Sequence, residues 1–209
     1  MAPSVLLALV VSVNAQIKGT LDLGSSGTAS IFGIEAEGSK IVYVFDRSGS
    51  MEVPDGKPLA VAKAELAKSV QKLGESQQFN IIVYNQAPRL LPIGQPGRLV
   101  FGSDESKEVA AEAIDGIEAA GATNHVDALV MALRTRADVI FLLTDGDQDD
   151  DLTPDDMTRI VKLNTAAAVI NVVQFSPPPK QGANRLIALA KETGGQHVYV
   201  DLIEGEGSK

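Results

Sequence analysis

Ile41-Val42-Tyr43-Val44-Phe45-Asp46-Arg47-Ser48-Gly49-Ser50-Met51 decides how the rest of the chain is read. Its first five residues are all β-prone and apolar, which predicts a strand buried on both faces. The strand stops at a carboxylate and runs into two hydroxyls, and a polar loop at the end of a buried strand is a common seat of function. Asp46, Ser48 and Ser50 alternate, so a tight loop can aim three oxygens at one point. Oxygen ligands on a short loop suit a hard divalent cation such as Mg²⁺. Taken alone, the hexapeptide Asp46–Met51 also reads as an ordinary Ser/Gly turn.

Two other segments extend the pattern. Gly121-Ala122-Thr123-Asn124 lies between two helix-like stretches and brings a further hydroxyl. Val139-Ile140-Phe141-Leu142-Leu143-Thr144-Asp145-Gly146 repeats the first arrangement, a continuous apolar strand ending in Asp. Strands that are apolar throughout, alternating with amphipathic helices, imply an α/β fold in three layers. The sheet is doubly wound and mainly parallel, with helices on both faces. Ligands of such sheets sit beyond the carboxyl ends of the strands, near the point where strand order reverses. Periodicity alone places Asp46 and Asp145 at that edge.

Along the chain, Val5–Val13 is an apolar run too short to span a bilayer, which takes about 20 residues. It reads as a signal-peptide core, an extra strand or the start of a fragment; no Lys or Arg precedes it, which weighs against the first. Gly19–Gly27 reads as a linker. Ala29–Glu35 and Lys40–Asp46 are two strands, with the turn between them expected at Glu37-Gly38-Ser39. Leu59, Ala62, Leu66, Val70 and Leu73 mark an amphipathic helix stopped by Gly74. Phe79–Tyr84 is a strand. Pro88–Phe101, rich in Pro and Gly, is a hairpin-like edge. Val109, Ala113 and Ile117 mark the buried face of a helix over Asp104–Ala119, and Val126, Leu129, Val130 and Leu133 that of the next. Thr153-Pro154-Asp155-Asp156 opens another helix. Ala167–Phe175 is a strand, Ser176–Pro179 a stiff loop, Asn184–Thr193 a helix and His197–Asp201 a last strand. Domain organisation is therefore an N-terminal segment and linker (1–28), one domain (29–203) and a polar tail (204–209).

Composition excludes several classes. The 209 residues carry a formal net charge of −9, so no basic stripe is available for nucleic acid. No Cys is present, which rules out thiolate metal sites and thiol nucleophiles. There is no P-loop and no Gly-x-Ser-x-Gly.

The segments at Asp46–Ser50, Thr123 and Asp145, in that order, resemble the von Willebrand factor type A family and its metal-ion-dependent adhesion site. The resemblance covers roughly Ile41 to Asp201 and implies a Rossmann-like domain. It further implies that Asp46, Ser48, Ser50, Thr123 and Asp145 surround one ion, Mg²⁺ or else Mn²⁺ or Ca²⁺, with the two aspartates acting largely through water or swapping between direct and water-mediated contact. The open ligand position is filled, in this family, by an acidic side chain of a partner protein, and no reaction is catalysed. Two other readings stand beside it: an accessory domain of an AAA+ or chelatase-type complex, and a metal-dependent hydrolase. The hydrolase needs a general base, for which His125 is the only local candidate; it reads instead as a surface or helix-start residue. Phe32-Gly33-Ile34-Glu35-Ala36-Glu37-Gly38 is similar to a stretch of bacterial members, and the cell envelope or secretion is favoured over the cytoplasm. Membrane attachment through N-terminal or missing sequence is compatible with that. The acidic run Asp147–Asp151 reads as a solvated loop before a helix, or as a seat for a second cation. If it rims the site, a partner with a single acidic ligand set in a basic surface fits best.

Overall fold

The computed structural model describes residues 26–53, 55–146, 152–175 and 184–202. Val5–Val13, most of the Gly19–Gly27 linker, the Asp147–Asp151 run, the Ser176–Pro179 loop and the 204–209 tail lie outside them. In chain order the strands are β1 (Gly27–Ile31), β2 (Ile34–Gly38), β3 (Lys40–Asp46), β4 (Gln78–Tyr84), β5 (Arg89–Leu90), β6 (Val100–Phe101), β7 (Val139–Thr144), β8 (Val169–Gln174) and β9 (His197–Tyr199). The helices are α1 (Lys57–Gln71), α2 (Asp104–Asp115), α3 (His125–Arg134), α4 (Pro154–Leu163) and α5 (Arg185–Glu192).

Seven strands form the main sheet in the order β5-β4-β3-β7-β8-β9, with β6 also on β4. Pairing is parallel from β4 to β9, and the two edge strands β5 and β6 run antiparallel to β4. From β3 the chain winds outward to β4 on one side and returns to β7 on the other. The order thus reverses at β3, and Asp46 at its carboxyl end stands at the switch point. The expected doubly wound, mainly parallel α/β sheet is what the chain forms.

Side chains alternate across the pleat. Ile41, Tyr43 and Phe45 join one core with α1, α2 and the β1–β2 hairpin, whereas Val42 and Val44 join the other under α3, α4 and α5. All five are fully buried. Burial of each such side chain contributes about 1.5–3 kcal/mol, which is why β3 holds the middle of the sheet.

Three expectations change. The hairpin turn falls at Phe32-Gly33, inside the first apolar run, rather than at Glu37-Gly38-Ser39. Ile31 pairs with Ile34, and φ is +47° at Phe32 and +78° at Gly33. Two positive φ values suit a two-residue hairpin that follows strand twist, and Phe32 is held there by an edge-to-face contact with Phe175 at 5.2 Å. The hairpin is a separate two-stranded sheet laid over one face. On α2 the buried face is Lys107, Ala110 and Ile114; Val109 is exposed and Ile117 lies past the helix end. The stem of Lys107 takes the inward position that its charge concealed. At the sheet edge, β5 and β6 pair with β4, not with each other.

Candidate metal centre

The register of the sheet builds the base of the site. Asp46 pairs with Tyr84 on β4, and Phe45 pairs with Leu143 on β7, so Thr144 follows alongside Asp46. Asp46 is fully buried, and both of its carboxylate oxygens are spoken for. Oδ1 accepts from the Ser48 backbone N–H at 2.8 Å, and Oδ2 accepts from Thr144 Oγ1 at 2.6 Å and Tyr84 OH at 3.3 Å. A buried carboxylate needs such donors, because an ionised group without them is strongly disfavoured. Burial, and next the Asp46 charge, hold the Tyr84 phenol well above its ordinary value, so it stays a donor.

Above this base the oxygens form a chain. Ser48 Oγ lies 3.0 Å from Ser50 Oγ, and Ser50 Oγ donates to Asp145 Oδ1 at 3.0 Å. Ser48 is buried while Ser50 is exposed, so the chain runs from the sheet toward solvent. The residues just before Thr123 bring its loop alongside through their backbone. Gly49 N–H donates to the Gly121 carbonyl at 2.8 Å, and Ala120 N–H to the Arg47 carbonyl at 2.8 Å. Arg47 Nη1 adds a bond to the Glu118 carbonyl at 2.9 Å, and Asn85 Nδ2 one to Ala120 at 2.8 Å. Thr123 itself is half-buried, just before Asn124, whose side chain caps α3 by accepting from Asp127 N–H.

A second polar layer supports Asp145. Gly146 N–H donates to Thr144 Oγ1 at 2.9 Å, and the Gly146 carbonyl accepts from Gln174 Nε2. Gln174 Oε1 accepts in turn from Asn184 Nδ2 at 2.7 Å and from His197 Nε2 at 3.0 Å, and Asn184 Nδ2 also reaches Tyr199 OH at 3.0 Å. Burial holds His197 below its ordinary value, so its neutral form is preferred.

His125 is at a helix start, as expected, but it is buried rather than on the surface, with 3 % of its area exposed. Its Nδ1 lies 2.8 Å from Tyr84 OH. That position suits a structural partner of Tyr84 better than a base reaching a substrate.

Asp46, Ser48, Ser50 and Asp145 are thus gathered, with Thr123 on the adjoining loop. Tyr84, Thr144, Gln174 and Asn184 were not singled out in the sequence. Each reads there as an ordinary strand or cap residue, and only strand register shows what it touches. Among the described residues no group of three or more His, Asp or Glu side chains gathers, so the donor set is hydroxyls with two carboxylates. Such a set suits a hard, oxygen-seeking cation rather than zinc.

An open α/β sheet with an oxygen-lined loop site beyond its central strand defines the class, a Rossmann-like domain built to present a site at its switch point. The family model for the von Willebrand factor type A domain matches residues 39–199, and the chain belongs to that family. Its domains are generally interaction modules rather than enzymes. Human inter-alpha-trypsin inhibitor heavy chain H4 is 32 % identical over 129 residues, which is 55 % of this chain and 13 % of that protein. An uncharacterized Synechocystis protein is 28 % identical over 172 residues, 77 % of this chain and 37 % of that one. The chain therefore spans well under half the length of either relative. Among solved structures, a von Willebrand factor type A protein from Catenulispora acidiphila superposes with a TM-score of 0.69 at 20 % identity, over 85 % of this chain and 43 % of that one. The conserved hypothetical protein BatB from Bacteroides thetaiotaomicron gives 0.57 at 18 % identity, over 78 % and 91 %. At these identities the likeness is one of fold.

Proposed function

We propose that this chain is a non-catalytic, divalent-metal-dependent protein-binding domain. Ser48, Ser50 and Thr123 would hold the ion through their hydroxyls, with Asp46 and Asp145 behind them. The observation that carries the reading is the oxygen spacing. Ser48 Oγ and Ser50 Oγ lie 3.0 Å apart, and Ser50 Oγ is tied to Asp145 Oδ1 behind it. Adjacent ligands on an octahedron of Mg²⁺–oxygen bonds lie roughly 2.9–3.0 Å apart, whereas Ca²⁺ wants a wider set. Asp46 turns both oxygens toward protein donors, which fits a carboxylate that acts on the ion through water. When bound, the ion supplies an electron-poor ligand position facing solvent.

The ligand for that position would be an acidic side chain of a partner protein. With a net charge of −9 on this chain, a partner whose one acidic ligand sits in basic surroundings is favoured. The test is a peptide array probed with the full chain in Mg²⁺ and again in EDTA. Retained peptides should share an Asp or Glu, be lost in EDTA and be lost with Ser50→Ala. Retention that ignores both Mg²⁺ and the acidic residue overturns the reading.

A further inference from the structure

One imidazole belongs to one segment of the site, lies beside a second and reaches the third through Tyr84. His125 opens α3 two residues after Thr123, so its own backbone belongs to the Thr123 loop. Its Nδ1 is 2.8 Å from Tyr84 OH, which is 3.3 Å from Asp46 Oδ2. The other edge of its ring faces the Asp145-Gly146 loop. A Cβ placed on Gly146 would stand 2.8 Å from His125 Nε2 and 3.1 Å from Cε1, so the ring would have to shift to admit one.

One direction of the hydrogen bonds fits these contacts. Tyr84 has a single O–H, and a carboxylate can only accept. A Tyr84 proton aimed at His125 would leave an oxygen lone pair facing the buried Asp46 carboxylate, which is costly in a low-dielectric interior. The phenol therefore donates to Asp46 and accepts from His125, which places the imidazole proton on Nδ1. Edge-to-face packing of the two rings, with centroids 5.7 Å apart, keeps both in this order. Thr144, on the opposite side of Asp46, completes the clamp.

We propose that His125 is a positioning residue: acting through Tyr84, it orients the Asp46 carboxylate and sets the spacing of the three loops before any ion arrives. The inference rests on the metal-binding reading above. Partners behind a metal ligand commonly change affinity by about 10–100-fold when removed, and a pair acting as one unit is non-additive.

The experiment has two readouts on the full chain. Without metal, ¹⁵N NMR of the imidazole should show Nδ1–H in the wild type, and that preference should be lost in Tyr84→Phe. With Mn²⁺, calorimetry should show affinity weakened about tenfold in Tyr84→Phe and in His125→Leu, and by no more than about tenfold in the double variant. His125→Asn, which can place an amide N–H near Nδ1, should recover most of the loss even if its metal-free Tm is no better than that of His125→Leu. An Nε2–H tautomer in the wild type overturns the inference whatever the metal does. Wild-type binding with unchanged variants, additive losses or no recovery in His125→Asn overturns it while leaving the metal reading intact. An Nδ1–H tautomer in a wild type that binds no Mn²⁺ fails the metal reading, and the positioning role falls with it.

Discussion

The backbone N–H of Gly49 donates to the carbonyl of Gly121 across 2.8 Å, which ties the Ser48–Ser50 loop to the Thr123 loop. Gly121 can offer that carbonyl because its φ is +83°, a left-handed conformation that glycine adopts without steric cost. A Cβ there also runs into the side chain of Gln86. Gln86 is exposed and can move aside, so the backbone strain decides the outcome. Gly121→Ala should cost about 1–2 kcal/mol and weaken Mn²⁺ binding as well. Chemical denaturation and calorimetry on the same variant check both.

Thr144 serves two groups with one hydroxyl, donating to Asp46 Oδ2 at 2.6 Å and accepting from Gly146 N–H at 2.9 Å. Thr144→Val keeps the shape, leaves the Gly146 N–H unpaired and leaves Asp46 Oδ2 with Tyr84 alone. A buried group left unpaired costs about 1–3 kcal/mol, so a loss in that range is expected in EDTA. A lower urea midpoint at unchanged slope is the signature.

Asn184 does two separable things. Its Oδ1 caps α5, accepting from Leu186 and Ile187 N–H, while its Nδ2 serves Gln174 and Tyr199. Asn184→Ala should cost about 1–2 kcal/mol, and Asn184→Ser should recover the capping share, near 1 kcal/mol, but not the rest. Equal losses in the two variants would show that the cap contributes nothing.

Burial holds His197 below its ordinary 6.5, so the folded protein prefers the neutral ring while the unfolded chain takes up a proton readily. The stability this contributes is fully present above pH 6.5 and is lost as pH falls through the lower folded value. Hydrogen bonds from Thr153 hold Asp156 below its ordinary 3.8, so its contribution is present above pH 3.8 and fades only in stronger acid. Between pH 7 and 5, Tm should therefore fall more steeply in the wild type than in His197→Gln, which can still donate to Gln174. Parallel curves would contradict this.

Much of this architecture was legible from residue pattern, and the failures have physical causes. Unbroken apolar runs at Ile41–Phe45 and Val139–Leu143 announce strands covered on both faces, and the carboxylates that follow them do stand at the carboxyl edge of the sheet. Asp46, Ser48 and Ser50 lie within five residues, so local spacing was enough to pair them. The Phe32-Gly33 turn was hidden because Phe is an apolar residue that rarely takes positive φ, and its packing on the core, with Phe175 edge-on, offsets that cost. Tyr84, Thr144 and His125 were not legible as a set. They meet Asp46 through the pairing of β3 with its neighbours and the seating of α3, and such long-range register leaves no local mark in sequence.

The most direct test of the central claim is a calorimetric titration of the full chain with Mg²⁺ and Mn²⁺ beside Ser48→Ala and Thr123→Ala. The account predicts one site in the wild type and loss of binding in both variants, since residues 75 positions apart would then serve the same ion. Binding of equal strength in all three proteins would contradict it and place the ion elsewhere.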